Sequence, residues 1–498
     1  MTSPDPNLPA PQDSHPEAGH PEAGHPDAAH PDAAHPDAGH PAPGVLPEPL
    51  AAASATSQTR SPTQTTAASG HAADLPNHDT PQAESRNVLS LVVHQILFRT
   101  AWIFKTESVI MPAFLDSLTD AGWVRGLLPL LNRTGQSVTP LLLSDRLSRT
   151  PLKSRWLAGA TFLMSLPFLS IGGLWLLTGG TTSAWFVAFF LIAYGTFFSV
   201  HGVNQASFNT LQGKVIRPER RGRLMRIVGS IGSPMAVLMA WLLLRPWTQA
   251  QPPRFAYIFL FTGSTFLCAS FTLRWIIERP DARQEKSTLV IRRRFQEAFL
   301  LVRTDPHLRR LCLLATLFVC SQLLFPHYQR LGRESDGYTG QMLMIWVIAQ
   351  NLSAAGFSWI SGAIADRQGT RSALRWLTFL AMFPPAVSLA LSHFSSASWY
   401  WLTFAWLGVV PVTYRMQLNY ALELTDRRHH PIYVSTVVLS MTLPIVASPL
   451  IGMWVQYSGY ALPFLQISGI VGGAWITSLF LVEPRDDGFE PTPVQLDR

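Results

Sequence analysis

Five polar residues of one apolar stretch, His201, Asn204, Gln205, Asn209 and Gln212, stand at i, i+3, i+4, i+8 and i+11. Spacings of three and four put such residues along one side of a helix. A second stretch repeats the device with Arg415, Asn419 and Glu423 at i, i+4 and i+8. Amides hold a polar solute by hydrogen bonds, and a guanidinium takes a carboxylate or phosphate with two parallel donors. A third stretch carries Gln95, Arg99, Trp102 and Thr106 on one face, with Glu107 about 80° round the helix and His94 and Lys105 on the other side. Asn132, Arg133 and Gln136 share a fourth stretch; Gln322, Gln350 and Asn351 stand alone or in pairs further on. Each has a plainer role open to it. Amides serve as interhelical glue, His201 fits a satisfied core histidine, and Lys105 is long enough to snorkel to a membrane surface. Arg99, Arg133 and Arg415 nevertheless outnumber Glu107, which points to a cationic cavity suited to an anionic or zwitterionic solute. Glu107 is the first candidate for carrying a proton, since a carboxyl in a low dielectric titrates nearer neutrality. Glu423 reads as a gate residue for Arg415 or Arg428.

The elements that position these groups are membrane spans. The chain is 47% hydrophobic and only 14% charged, against roughly 25% charged in soluble domains. Residues 1–86 differ from the rest: they hold eleven acidic and two basic residues and almost no large apolar side chains. Such a segment cannot offset its ordering entropy and is expected to stay disordered. It lacks the charged and apolar regions of a signal peptide. Beyond it, twelve runs are long and apolar enough to cross a bilayer: 89–114, 122–144, 156–178, 183–212, 224–246, 254–277, 307–327, 341–364, 373–393, 398–424, 432–456 and 460–482. The first, fourth and tenth are the least apolar. Every even-numbered connection is basic, the one after span 4 carrying Lys214, Arg217, Arg220, Arg221, Arg223 and Arg226; the odd ones, such as TGGTTSA, are nearly neutral. Basic short loops stay in the cytoplasm, so both termini are expected there, in the cytoplasmic (inner) membrane.

The expected fold is an all-α membrane protein of twelve transmembrane helices in two pseudo-symmetric halves of six. The halves are 87–278 and 307–484, joined by a cytoplasmic linker, 279–306, with cytoplasmic tails 1–86 and 485–498. In the linker Ile291, Phe295, Ala298, Phe299 and Val302 make one face of an amphipathic helix for the membrane surface, and Asp305-Pro306 reads as the cap and first residue of span 7.

One charged hinge is written twice. LLLSDRLSRTPLKSRWL, 141–157, and SGAIADRQGTRSALRWL, 361–377, share Asp145-Arg146 with Asp366-Arg367 and end on the same Arg-Trp-Leu. The second copy has Gly362, Asp366, Arg367, Gly369 and Arg371; the first has Leu141 and Ser148 at the glycine positions. Two sets of six spans with this hinge after spans 2 and 8 resemble the major facilitator superfamily of secondary transporters. Further likenesses are RPERRGR after span 4, RTDPHLRRL entering span 7, acidic-proline exits at Glu278 to Pro280 and Glu483-Pro484, and SPLIGMW, 448–454, in span 11. In span 5, GSIGSPMAV keeps Pro234 but has Ser233 where the family's drug exporters carry glycine. The resemblance implies a cavity lined by spans 1, 4, 7 and 10, and alternating access driven by a gradient, with protons as the expected coupling ion. The candidate cavity residues are Arg99, Trp102, Glu107, Arg133, Gln136, His201, Asn204, Gln205, Gln322, Arg415 and Asn419; the hinge residues are Asp145, Arg146, Gly362, Asp366, Arg367, Gly369 and Arg371. The alternative is a membrane sensor or scaffold that kept the fold without transport.

Enzyme motifs are missing: there is no G-x-S-x-G, no H-E-x-x-H and no phosphate-loop lysine, and no cofactor, nucleic-acid partner or tight metal site is expected. Cys268, Cys312 and Cys320 lie in apolar runs without ligand spacing and read as inert thiols. His15, His20, His25, His30, His35 and His40 recur every five residues, each before proline. That repeat could take divalent metal only loosely, because nothing fixes its geometry.

Overall fold

The computed structural model describes residues 81–281, 291–394, 397–426 and 429–485. The histidine repeat, Arg428 and most of the last tail lie outside these residues, as do the side chains of Leu141, Asp145 and Ser148. What is described is all-helical, and its rods follow the twelve expected spans. The first half holds α1 (Pro81–Phe104) with α2 (Ile110–Leu118), α3 (Gly122–Arg149), α4 (Lys153–Leu177), α5 (Ala184–Val215), α6 (Pro218–Ile227) with α7 (Ser233–Gln249), and α8 (Phe255–Thr272). The linker helix is α9 (Ile291–Thr304). The second half holds α10 (Pro306–Val319) with α11 (Phe325–Arg333), α12 (Gln341–Gln368), α13 (Thr370–Ala381) with α14 (Pro384–Phe394), α15 (Trp401–Leu407) with α16 (Val409–Glu423), α17 (His430–Ile445) with α18 (Ser448–Ser458), and α19 (Ala461–Leu479).

Ten of these rods are long and apolar enough to cross a membrane. The other two are the second, α3, and the tenth, α15–α16. Spans 1 and 4, expected to be marginal, qualify. The shortfall has a cause: α3 carries the polar run 132–137 and α16 carries Arg415, Gln417 and Asn419.

Prolines break the rods at defined places. Pro112 has no N–H for the Ser108 carbonyl and Pro326 none for that of Gln322, and the first rod of each half is interrupted there, over 105–109 and Cys320–Leu324. α1 starts at Pro81, inside the segment assigned to the tail, and its Glu84 is buried, 3.1 Å from Arg220. The expected cap of span 7 is present: Asp305 accepts from the His307 and Leu308 amides and from the Tyr433 hydroxyl. In α9, Ala298 and Leu301 are buried, while Phe295 and Phe299 are exposed. The apolar face is thus shared between protein and surroundings.

Equivalent latches close the two halves. Glu278, after the sixth rod, accepts from the Lys153 and Ser154 amides at the start of α4 and from Lys214. Glu483, after the twelfth, accepts from the Arg371 amide at the start of α13. Gly369 makes that latch possible. Its φ is +86°, and a Cβ there would lie 2.2 Å from the Glu483 carboxylate. Gly362, expected to relieve crowding, has open space where its Cβ would be.

Candidate functional site

The two halves touch at one end. Between described residues, the hydrogen bonds and ion pairs that join them run from mid-bundle to the end away from the hinges. There Arg125 lies 2.6 Å from Asp116, and Arg330 and Arg333 of the second half reach Asp120 and Asp116 at 2.9 and 3.7 Å. Gln456 accepts from the Gly122 amide. α3 and α18 cross with Gly122 against Gly452, where a Cβ on either would sit within 2.3 Å of the other's carbonyl oxygen. Deeper in, Ser108 donates to Gln350 and Thr442 to Ser137. No such bond joins the described residues of the halves at the hinge end.

Towards that end polar side chains of both halves are exposed. Gln205 and Asn209 are exposed and bonded to each other. At about 100° per residue they stand across α5 from Ile192, which is exposed on the outer face. Arg415 and Asn419 are exposed on α16. Arg99 is half-buried and donates to the Ser233 hydroxyl, which follows a π turn at Val228–Gly232. Neither arginine has a carboxylate partner among the described residues.

The break in the first rod carries a charged knot. Lys105 is fully buried, 2.7 Å from Glu107 and 3.1 Å from the centre of the Trp102 ring. It therefore does not snorkel; the break turns it inward onto its own carboxylate. Asn132 donates to the other Glu107 oxygen, and Gln136 donates to Asn132. The next residue of α3, Arg133, donates twice to Gln322 in the break of the seventh rod and lies over the Tyr414 ring. Glu107, Asn132, Tyr194 and Gln322 line one small cavity with Leu128, Pro129, Phe325 and Pro326. Two neighbouring residues of α3 thus each serve one broken rod.

Other expected residues lie elsewhere. Asn204 is buried and donates to Thr161 of α4, so the exposed stripe of α5 starts one residue later. His201 is buried among aromatic rings, its ring 4.6 Å from that of Trp102, and its Nδ1 has no partner. Asn351 bonds its own helix at Val347. Glu423 pairs with Arg485 and Thr370 rather than Arg415, and Glu423 holds the Arg485 guanidinium above its usual range. Of the hinge residues, Arg146, Asp366 and Arg367 are exposed and Arg371 is half-buried. Ser108, Ser233, Tyr194 and Tyr414 were missed. A proline four residues downstream marks Ser108, but Ser233 needs a π turn that no spacing announces.

A family model described as Major Facilitator Superfamily matches residues 229–414, from the fifth rod of the first half into the fourth rod of the second. That match spans a little over a third of the chain. The chain's fold is shared by a point mutant of the nucleoside transporter NupG, at 12% identity and a TM-score of 0.59 over 79% of this chain and 98% of that one. The xylose transporter XylE from E. coli, in a partially occluded inward-open conformation, gives 12% and 0.59 over 82% and 100%. A peptide transporter POT in complex with sulfate gives 12% and 0.58 over 79% and 93%. A sequence comparison with curated proteins returned no match. The protein is thus an all-helical chain whose described helices include ten long and apolar enough to cross a membrane, in a fold that these transporters share.

Proposed function

We propose that this chain is a transporter of the major facilitator superfamily, carrying a small organic solute across the cytoplasmic membrane by alternating access, driven by a proton gradient through Glu107. The observation that carries the reading is a contrast between the two ends: described residues of the halves are bonded from mid-bundle to one end, while towards the hinge end polar side chains of both are exposed, which we read as the walls of a cleft. The basic connections support a cytoplasmic hinge end, with 87–278 and 307–484 as the moving bodies and both tails on that side. Proton coupling is supported by the place of Glu107. Protonation there would loosen both Lys105 and Asn132 at a helix break. Two structural neighbours are a D-xylose-proton symporter and an E. coli fucose:proton symporter, proteins that use the same ion.

Reconstituted in proteoliposomes, the chain should accumulate its solute when a pH gradient is imposed. Glu107→Gln should abolish accumulation while leaving solute exchange between the two sides. Accumulation that ignores the pH gradient would remove protons from the reading. Solute binding without any flux would favour the sensor or scaffold instead.

A further inference from the structure

We propose that the gap between α3 and α4 seats one acidic phospholipid of the surrounding bilayer, an acyl chain in the gap and the phosphate on Arg155. The inference needs only that the chain lie in a membrane and is independent of any solute it carries. α3 and α4 each pack along α5 and leave between them a cavity of about 420 Å³, within the range of small-molecule sites, roughly 300–1,000 Å³. Its walls are mostly apolar, Leu143, Trp156, Gly159, Leu163 and Val203 among them, with Arg155 at the hinge end. The cavity lies away from the polar stripe of α5. At about 100° per residue, Val203 stands within about 20° of Ile192, which is exposed on the outer face. Arg155 and Leu163 are both exposed, so the gap is reached from outside the bundle. Between them α4 rises about 12 Å, which gives a chain room to lie along the helix beneath its headgroup.

The second half shows what the gap lacks. Both hinges end on Arg-Trp-Leu, so Arg155 and Trp156 correspond to Arg375 and Trp376. Trp376 of α13 meets the Phe357 ring of α12, centre to centre at 6.0 Å, and Arg375 donates to the Ser478 and Leu479 carbonyls at the end of α19. At the spacing of the two hinge aspartates, Phe357 has Gln136 as its counterpart, and Gln136 is bonded to Asn132. Trp156 lines the cavity instead, and Arg155 has no hydrogen bond or ion pair among the described residues. The neighbouring carboxylates are engaged, Glu278 by Lys214 and Asp281 by Lys153 and Lys214. Arg146 is exposed on the last turn of α3, and the Arg149 Nε is buried without a partner. The gap thus presents apolar surface beneath uncompensated positive charge, the complement of an acidic lipid.

The test uses the full chain, stripped of lipid in detergent micelles and titrated with dioleoyl phosphatidylglycerol, dioleoyl phosphatidylcholine, or glycerol phosphate as a headgroup without chains. Native mass spectrometry counts the lipid retained, thermal melting gives its affinity, and gel filtration checks the fold. Phosphatidylglycerol should bind saturably, phosphatidylcholine more weakly, and glycerol phosphate should leave the melting unchanged. Arg155→Gln should weaken phosphatidylglycerol roughly five- to tenfold and bring it near phosphatidylcholine. Arg223→Gln, which removes an exposed arginine of α6 at the same end, should leave the affinity as it was. A Cβ on Gly159 would meet nothing within 4 Å, so Gly159→Phe can fill the cavity without displacing its walls; it should weaken both lipids roughly tenfold or more. If that variant fails to fold, Arg155→Gln, a change at an exposed side chain, carries the test. The site is overturned if the two lipids bind alike, if glycerol phosphate stabilises as well as phosphatidylglycerol, or if Arg155→Gln or a folded Gly159→Phe keeps wild-type affinity. An equal loss in Arg223→Gln would overturn it too, since the attraction would then belong to the whole basic surface.

Discussion

The first rod of each half is broken at the same level by the same means, yet the two breaks hold different chemistry. In the first half the interruption carries Lys105, Glu107 and Ser108; in the second it carries Cys320, Ser321 and Gln322. Pro112 and Pro326 set both interruptions, so the backbone device is common. The charges were added to one copy. Pseudo-symmetry therefore fixes where this fold can put a polar group, and it leaves open which half carries the charges. α3 reads both outcomes, with Asn132 on the charged break and Arg133 on the neutral one.

The largest expected effect comes from undoing the charged break. Glu107→Gln leaves Lys105 as a buried cation without its anion, a change that costs about 3–5 kcal/mol in well-buried pairs. Melting of the purified variant should fall by several degrees, and adding Lys105→Met should restore most of the loss. A single variant as stable as wild type would mean that the pair is not a structural unit. At the neutral break, Gln322→Leu removes the acceptor of Arg133 and should cost roughly 1.5–3 kcal/mol, the worth of a hydrogen bond to a charged group. A larger loss there than at Glu107 would reverse the ranking of the two breaks.

The hinges sharpen the same contrast. α3 runs on through Ser148 to Arg149, whereas α12 stops at Gln368 and turns on Gly369. Gly369→Ala should cost about 1–2 kcal/mol from the left-handed backbone alone, with further loss from the Glu483 contact. Gly362→Ala, into open space, should stay within about 0.5 kcal/mol. Equal effects would contradict the assignment of the turn to Gly369. The smallest effect is expected from deleting residues 2–78, which precede Glu84 and carry little apolar surface: melting and flux should match the full chain.

The apolar runs sufficed to count the rods, because a span is written in composition. The stripes of spans 1, 4 and 10 also led to Arg99, Gln205, Arg415 and Asn419. Helical spacing misled where the helix was not regular. The turn at 105–109 rotates Lys105 off the face that 100° per residue assigns to it, and the π turn brings Ser233 to Arg99. Asn204 failed for a different reason. A stripe identifies the polar side of a helix, but Thr161 on a neighbouring rod decides which of its residues is covered.

The carboxylate latches at Glu278 and Glu483 have a mechanical consequence. Each binds the tail of a half's last rod to the head of its third, making a non-covalent loop of four consecutive rods. A pull delivered through the linker beyond Glu278 is then not confined to α8. It is passed directly into the first turn of α4 and, through Lys214, into the foot of α5, the helix that carries Gln205 and Asn209. The linker acts as a tie-rod, fastened where a displacement reaches the cleft wall without bending the rods between.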